Sequence, residues 1–233
     1  MRPEARVAIV TGASSGIGRA IALGLSREGG TVGLVGRRLP GLDETAGQVE
    51  QHGARAVRLP ADLVAPGGAE RLAERIAQVL GATDLLVHCA GVFPLVPEES
   101  EQAHQHVRAA ETLTRRLLPL LRTGPGQIVF VNSSAGLPGA RAAGAYAESK
   151  QALRILADHL RDEVNPDGIR VLSIYPGRTA TPMQAAIHRQ EGKPYLPQHL
   201  LQPEDVAAVV LHALALPQGA EVTDISIRPT QKP

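Results

Sequence analysis

Apolar and polar positions along this chain alternate in blocks rather than residue by residue. The run Val7–Val10 is apolar throughout, as a strand buried on both faces of a parallel sheet should be. Thr11 and Gly12 break it, and Ala20, Ile21, Leu23 and Leu25 then follow helical spacing. That pattern predicts a helix over 17–28, ended by Gly29-Gly30. The strand-then-helix block recurs along the chain. Strands are predicted at 31–35, 54–59, 85–89, 127–131, 170–175 and near 221–227, with helices at 42–52, 68–80, 101–121, 144–164 and 204–216. The stretch 92–98 holds two prolines and reads as a loop, and a short polar insertion follows Pro176-Gly177. No linker, repeat or low-complexity tract interrupts the alternation. The pattern predicts one α/β domain over 1–233, a doubly wound parallel sheet of about seven strands with right-handed crossovers.

Composition narrows the class without choosing the chemistry. Lys and Arg total 24 against 23 Asp and Glu, for a net charge of +1, and no basic arm or aromatic-interleaved stripe is present. Neither nucleic acid nor an anionic membrane is therefore an expected partner. Cys89 is the only cysteine, which excludes an internal disulfide and suits a reducing cytoplasm. The first residues run straight into the first strand, leaving no room for a signal peptide, and no apolar run has the length to span a bilayer. Aromatics are 2% of the chain, so the core has to rest on Ala, Val, Leu and Ile. A soluble cytoplasmic domain is expected.

The residues with chemical promise gather behind strand ends, where doubly wound sheets hold ligands. In Thr11–Gly18, Gly12 allows a tight turn and Gly16 removes a side chain where a pyrophosphate must approach. Gly18 lets helix and strand pack closely. The amides and positive dipole end of the new helix face the anion. An ordinary loop also uses glycine, but strand, turn and helix stand here in the order a phosphate site requires. Arg37, Asp62, Ala90-Gly91, Ser133 and Pro176-Gly177 each follow a predicted strand as well.

Tyr146 and Lys150 are four apart and share one helix face. An ammonium beside a phenol favours the phenolate, and a phenol so tuned exchanges a proton with a carbonyl or alcohol oxygen. Chance also places such pairs on solvated helices. Ser133, 13 residues before Tyr146, either holds the same oxygen through its hydroxyl or makes a strand-ending turn with Asn132 and Ser134. A nucleophilic Ser133 is less attractive, because no His lies near it and the nucleophile-elbow glycines are absent. No Cys/His spacing fits zinc, and His104 and His106 do not share a helix face, so no metal is expected.

In combination these motifs resemble the short-chain dehydrogenase/reductase family almost end to end. The stretch Thr11–Gly18 resembles its dinucleotide motif, which implies cofactor contacts from Gly12, Ser14, Ser15, Gly16, Ile17 and Gly18. Asp62 with Leu63 resembles the adenine-pocket acid, and Ala90-Gly91 the turn after the fourth strand. The segment Pro176-Gly177-Arg178-Thr179-Ala180-Thr181 resembles the one that holds the nicotinamide carboxamide. Ser133, Tyr146 and Lys150 match the catalytic serine, tyrosine and lysine in order and spacing. The resemblance implies a Rossmann-type fold and hydride transfer between a nicotinamide and a carbonyl or secondary alcohol. It makes Tyr146 the general acid/base and Lys150 the residue that tunes it and grips the nicotinamide ribose. Ser133 would polarise the substrate oxygen.

Two positions depart from the family pattern. Cys89 stands where members usually carry an asparagine that mainly braces the sheet. His106 aligns with the family's helix-four asparagine, which holds a water beside the lysine, and the segment from Gly91 to His106 is short for the family. A histidine can hold a water and titrates near neutral pH, so either a relay survives or His106 is a helix-surface residue.

Cofactor choice turns on the end of the second strand. An acid there binds the ribose 2′-hydroxyl of NAD and repels a 2′-phosphate. This chain has Gly36 followed by Arg37 and Arg38, whose charge and fork geometry suit a phosphate unless both are simply solvated. NADP, as NADPH, is expected rather than NAD. The expected activity is an NADP-dependent oxidoreductase acting on a small or medium carbonyl or secondary alcohol. The alternative is a catalytically weak dinucleotide-binding regulator or scaffold, favoured by Cys89 and His106 and opposed by the intact Ser133, Tyr146 and Lys150. Val92, Phe93, Leu95, Val96, Leu137, Pro138 and Met183 are expected to line an apolar pocket. A lid is expected near 183–200, with Gly192 and Pro194 as hinge or turn residues. The Ala and Leu positions of helices 101–121 and 144–164 exceed what one sheet face needs, and the resemblance implies a homodimer or homotetramer built on them.

Overall fold

Period-two alternation sorts the strand side chains onto two apolar faces, and helices cover both. The computed structural model describes residues 6–96, 99–140 and 144–230. Its strands are β1 (Val7–Thr11), β2 (Thr31–Gly36), β3 (Arg55–Pro60), β4 (Leu85–His88), β5 (Gln127–Val131), β6 (Arg170–Pro176) and β7 (Asp224–Ile227). The helices are α1 (Gly16–Ser26), α2 (Leu39–Gln51), α3 (Gly68–Leu80), α4 (Ser100–Leu121), α5 (Ala145–Val164), α6 (Pro182–Gln190) and α7 (Pro203–Leu214). All strand pairs are parallel, in the order β3-β2-β1-β4-β5-β6-β7. Ala8, Val10, Leu85, Val87, Val129, Val131, Leu172 and Ile174 face one core with α1, α2 and α7. Ile9, Leu86, Ile128, Phe130 and Val171 face the other with α3, α4 and α5. Burial on both faces is why these strands read as unbroken apolar runs.

The chain builds outward from β1 to β3, then crosses over to β4 on the other side of β1. The ends of β1 and β4 therefore flank the switch point, where a doubly wound sheet opens a crevice. Two elements differ from the sequence pattern. The polar insertion contains α6, which Thr181 caps by accepting the Gln184 amide at 3.2 Å and Pro182 opens. Its apolar content is too sparse to show as a period. The last strand starts at Asp224 rather than Glu221, because the Glu221 carboxylate accepts the Val171 amide at 2.7 Å in place of a ladder bond. Much of the apolar content of α4 and α5 packs inside the protomer: Leu113, Leu117, Leu121, Leu153, Ala157 and Leu160 all belong to one core, while Ile155 stays exposed. No described helix is long and apolar enough to cross a membrane.

Candidate active site

Steric need fixes the glycine turn. A Cβ on Gly12 (φ +69) would lie 2.9 Å from the Cys89 carbonyl, and one on Gly18 would lie 2.4 Å from the Gly12 oxygen. Only glycine lets β1, β4 and α1 meet this closely. The loop carbonyls are tied down from behind: Arg19 Nη2 donates to the Ser14 oxygen at 2.7 Å and Thr45 Oγ1 to the Ala13 oxygen at 2.9 Å. Ser15 makes no side-chain cap on α1, so the first-turn amides keep the donors an anion needs. Thr11 Oγ1 accepts the amides of Cys89 and Ala90, both at 3.0 Å, and donates to the Val87 oxygen at 3.3 Å. That hydroxyl braces β1 against the turn after β4. Burial pushes the Cys89 thiol up to about 12, against smaller opposing effects of Lys150 and the Gly18 amide, so it stays protonated.

Two cavities open behind the strand ends. The first, about 270 Å³, is walled by Gly12, Ser14, Ser15, Gly16, Ile17 and Gly18, with Arg37 and Arg38, Asp62 and Leu63, and Ala90 and Gly91 around them. His106, Tyr146, Lys150 and Thr181 complete it. The second, about 260 Å³, contains Ser133, Pro176, Gly177 and Thr179 and shares Ile17, Tyr146 and Thr181 with the first. Every site residue expected from the sequence lines one of the two. Of the expected apolar pocket, Val92, Phe93 and Met183 line a cavity, but Leu95, Val96, Leu137 and Pro138 line neither. The turn Ser134–Gly136 explains part of this: it packs so tightly on α5 that a Cβ on Gly136 would lie 2.7 Å from the Lys150 oxygen. Asn132, Arg178, Gln184, Ile187 and Glu191 also line the second cavity, though none was singled out as a site residue: Asn132 lies in the strand-ending turn, Arg178 in the segment resembling the carboxamide holder, and the other three in the expected lid.

The two cavities meet at Tyr146. It sits in the first turn of α5, with Phe93 tilted against its ring at 4.9 Å and Lys150 Nζ 5.6 Å from the ring centre. Ser133 makes the strand-ending turn expected as one of its two readings. Its Oγ accepts the Ala135 amide at 3.2 Å, which closes the strand-ending turn, and its own hydroxyl hydrogen is left to donate. Beside it, the buried Asn132 Nδ2 has no hydrogen-bond partner among the described residues. An orphaned donor at a cavity junction is what a bound group would satisfy.

His106 lines the first cavity and a smaller one of about 20 Å³ shared with Lys150, Ser149 and His88. Its Nδ1 lies 2.8 Å from the Gln102 carbonyl and so carries the proton, leaving Nε2 as an acceptor. Burial holds the ring below the ordinary histidine value, helped by Arg37 and Lys150 and opposed by the Gln102 carbonyl and Asp62. His106 is therefore neutral at pH 7. Arg37 and Arg38 stand exposed at the mouth of the first cavity, and Asp62 accepts the Val64 amide at 3.2 Å.

A family model described as short chain dehydrogenase matches residues 6–192. The glycine betaine reductase ATRR of Emericella nidulans is 33% identical over 98% of this chain, which spans only 19% of that protein's length. The alcohol dehydrogenase from the archaeon Thermococcus sibiricus, solved with 5-hydroxy-NADP, superposes with a TM-score of 0.85 at 26% identity, covering 99% of both chains. The L-sorbose reductase from Gluconobacter frateurii, solved with NADPH and L-sorbose, gives a TM-score of 0.84 at 28% identity over 97% of both. On the match to the family model and the shared seven-stranded sheet, the chain belongs to the short-chain dehydrogenase/reductase family and is an oxidoreductase.

Proposed function

We propose that this chain is an NADP-dependent oxidoreductase that reduces a small or medium carbonyl or oxidises the matching secondary alcohol. Ser133, Tyr146 and Lys150 form its catalytic set, and His106 anchors a relay water. The observation that carries the reading is the meeting of two cavities at Tyr146, one walled by the glycine turn and the other by Ser133. The residues present suit the dinucleotide. The uncapped first turn of α1 would hold its pyrophosphate, Arg37 and Arg38 a 2′-phosphate, and Asp62 and Leu63 its adenine. Lys150 would hold the nicotinamide ribose, with Ala90 and Gly91 alongside, and Pro176, Gly177, Thr179 and Thr181 the carboxamide. That the two neighbours above were solved with NADP-type cofactors supports NADP over NAD. When bound, the reduced cofactor supplies the hydride.

The protein's own groups manage the proton. Tyr146 donates its phenolic hydrogen to the carbonyl oxygen as negative charge builds there, and takes it back in the alcohol direction. Ser133 donates a hydrogen bond to the same oxygen while its Oγ stays held by the Ala135 amide. The Lys150 ammonium favours the phenolate left behind. The small cavity between Lys150 and His106 has the volume of about one water, with a donor at Nζ and an acceptor at Nε2. A water there links Lys150 to the proton supply. The segment 183–200, including α6, serves as the lid over the second cavity, and association into a homodimer or homotetramer is measurable by light scattering.

NADPH consumption across a panel of ketones tests the reading. Turnover with at least one ketone is expected. Tight NADPH binding with no turnover on any of them would replace the enzyme by a dinucleotide-binding regulator.

A further inference from the structure

The second cavity contains an ion pair that the chemistry above does not use. Arg178 follows β6, and Glu191 caps the C-terminal end of α6; Arg178 Nη2 lies 2.9 and 3.2 Å from the two Glu191 carboxylate oxygens. They are the charged residues among the described lining of the cavity that holds Ser133 and Tyr146, and 32% and 30% of their side chains are exposed. The rest of the lining is neutral, with Phe93, Met183 and Ile187 supplying apolar surface.

The hydrogen-bonding capacity of the pair is unequal. Glu191 is covered, because its carboxylate also takes Lys193 Nζ at 3.0 Å, and the two cations hold its carboxyl below the usual range. A cationic substrate group finds that acceptor already occupied. Arg178 has five N–H donors to place. One nitrogen serves Glu191, and Nη1 reaches only to His188 Nε2 at 3.5 Å, the limit for a hydrogen bond. His188 donates its Nδ1 hydrogen to the Gln184 oxygen at 2.9 Å, so its Nε2 is the acceptor at the far end of that long contact and takes at most one of the Nη1 hydrogens. One carboxylate shared by two cations leaves the Arg178 guanidinium with N–H donors to spare at this wall.

We propose that Arg178 is a specificity-determining residue that receives an anionic group of the substrate, a carboxylate or a phosphate. The substrate class is then a keto acid or phosphorylated ketone and the corresponding alcohol. Glu191 holds the guanidinium in place at the cavity wall, and the apolar residues would cover the carbon chain between anion and carbonyl. A planar fork meeting a carboxylate or phosphate gives strong charge-assisted hydrogen bonds. This inference rests on the carbonyl-reductase reading and narrows it.

The test compares matched substrates with NADPH: keto acids of graded chain length against their methyl esters, and a phosphorylated ketone against its dephosphorylated form. The wild type should prefer the anionic member, and the preferred arm distinguishes carboxylate from phosphate. Arg178→Gln should lower kcat/KM for that member roughly ten- to a hundred-fold, mainly through KM, and change neutral ketones by no more than about two-fold. Arg178→Lys keeps the charge and should recover part of the loss. Equal use of charged and neutral substrates by the wild type would overturn the proposal. So would an equal loss on both in Arg178→Gln, which would make the pair a tie between α6 and the loop after β6. Both results leave the reductase reading standing. If no carbonyl is turned over, that reading fails, and titration of the same keto acids into the NADPH-loaded protein still decides the site. Binding, read by nicotinamide fluorescence, should saturate in the wild type and weaken in Arg178→Gln; absence of binding to the wild type overturns it.

Discussion

At position 106 a titratable ring lines the first cavity, and its surroundings decide its charge. Burial is the largest influence holding His106 low, with Arg37 and then Lys150 adding to it. The ring is neutral at pH 7 and loses its Nε2 acceptor only when the pH falls below the ordinary histidine value of about 6.5. If Nε2 holds the relay water, the wild-type rate should fall on the acid side with an apparent pKa under that value. His106→Asn should keep activity and lack that limb, as a pH–rate profile would show; matching profiles would make the ring a bystander. Arg37 gives the second test at this scale. Arg37→Ala should weaken NADPH by about 1.5 kcal/mol, the low end for a charged hydrogen bond because the side chain is exposed, and leave NADH unchanged. Direct binding titrations check both; equal weakening would remove the 2′-phosphate from Arg37.

At the scale of elements, the entry into α1 is closely fitted. An Ala at position 18 would set its methyl 2.4 Å from the Gly12 oxygen, which is backbone and cannot swing aside. Gly18→Ala should therefore cost about 1–3 kcal/mol of stability by chemical denaturation and weaken the dinucleotide by displacing the first-turn amides. Unchanged stability would mean that helix and strand have slack. The strands β1, β4 and β5 were legible because burial on both faces leaves polar residues only at their ends: Thr11, His88 and Gln127. The glycine turn and the Tyr146–Lys150 pair were legible because their chemistry is local in sequence. α6 was not, although Thr181-Pro182 begins it and Gly192 (φ +64) ends it, since Ile187 is its one large buried apolar residue. Arg178 and Glu191 were missed for a related reason. They meet only because α6 folds back onto the loop after β6, and their spacing of 13 residues carries no periodic signal.

For the molecule as a whole, the buried His88 ties stability to pH. It is stacked on Phe130 with ring centres 4.9 Å apart, and its Nε2 lies 2.7 Å from Thr114 Oγ1. Burial lowers its pKa to about 3, from 6.5 when exposed. Between those values the unfolded chain binds a proton that the folded chain refuses, so stability is complete above 6.5 and is lost as the pH falls toward 3. The loss should run at about 1.4 kcal/mol per pH unit from this one group. His88→Gln keeps a partner for Thr114 and removes the titration. Urea unfolding near neutrality and again in mild acid should show the variant losing less stability than the wild type; equal losses would place the acid sensitivity elsewhere. Association stands on the family resemblance; most apolar positions of α4 and α5 lie in their own core, while Ile155 of α5 is about half exposed.

In the proposed mechanism Tyr146 moves the proton while the protein holds cofactor and carbonyl around it. Tyr146→Phe removes the phenolic hydroxyl and keeps the ring that packs on Phe93. Steady-state NADPH oxidation with the best ketone, run beside an NADPH binding titration, reads both halves of the claim. Turnover should fall by about 10²–10⁴, the worth of a positioned acid, with cofactor affinity unchanged. Retention of more than about a tenth of the wild-type rate would contradict the account and move the acid to another group.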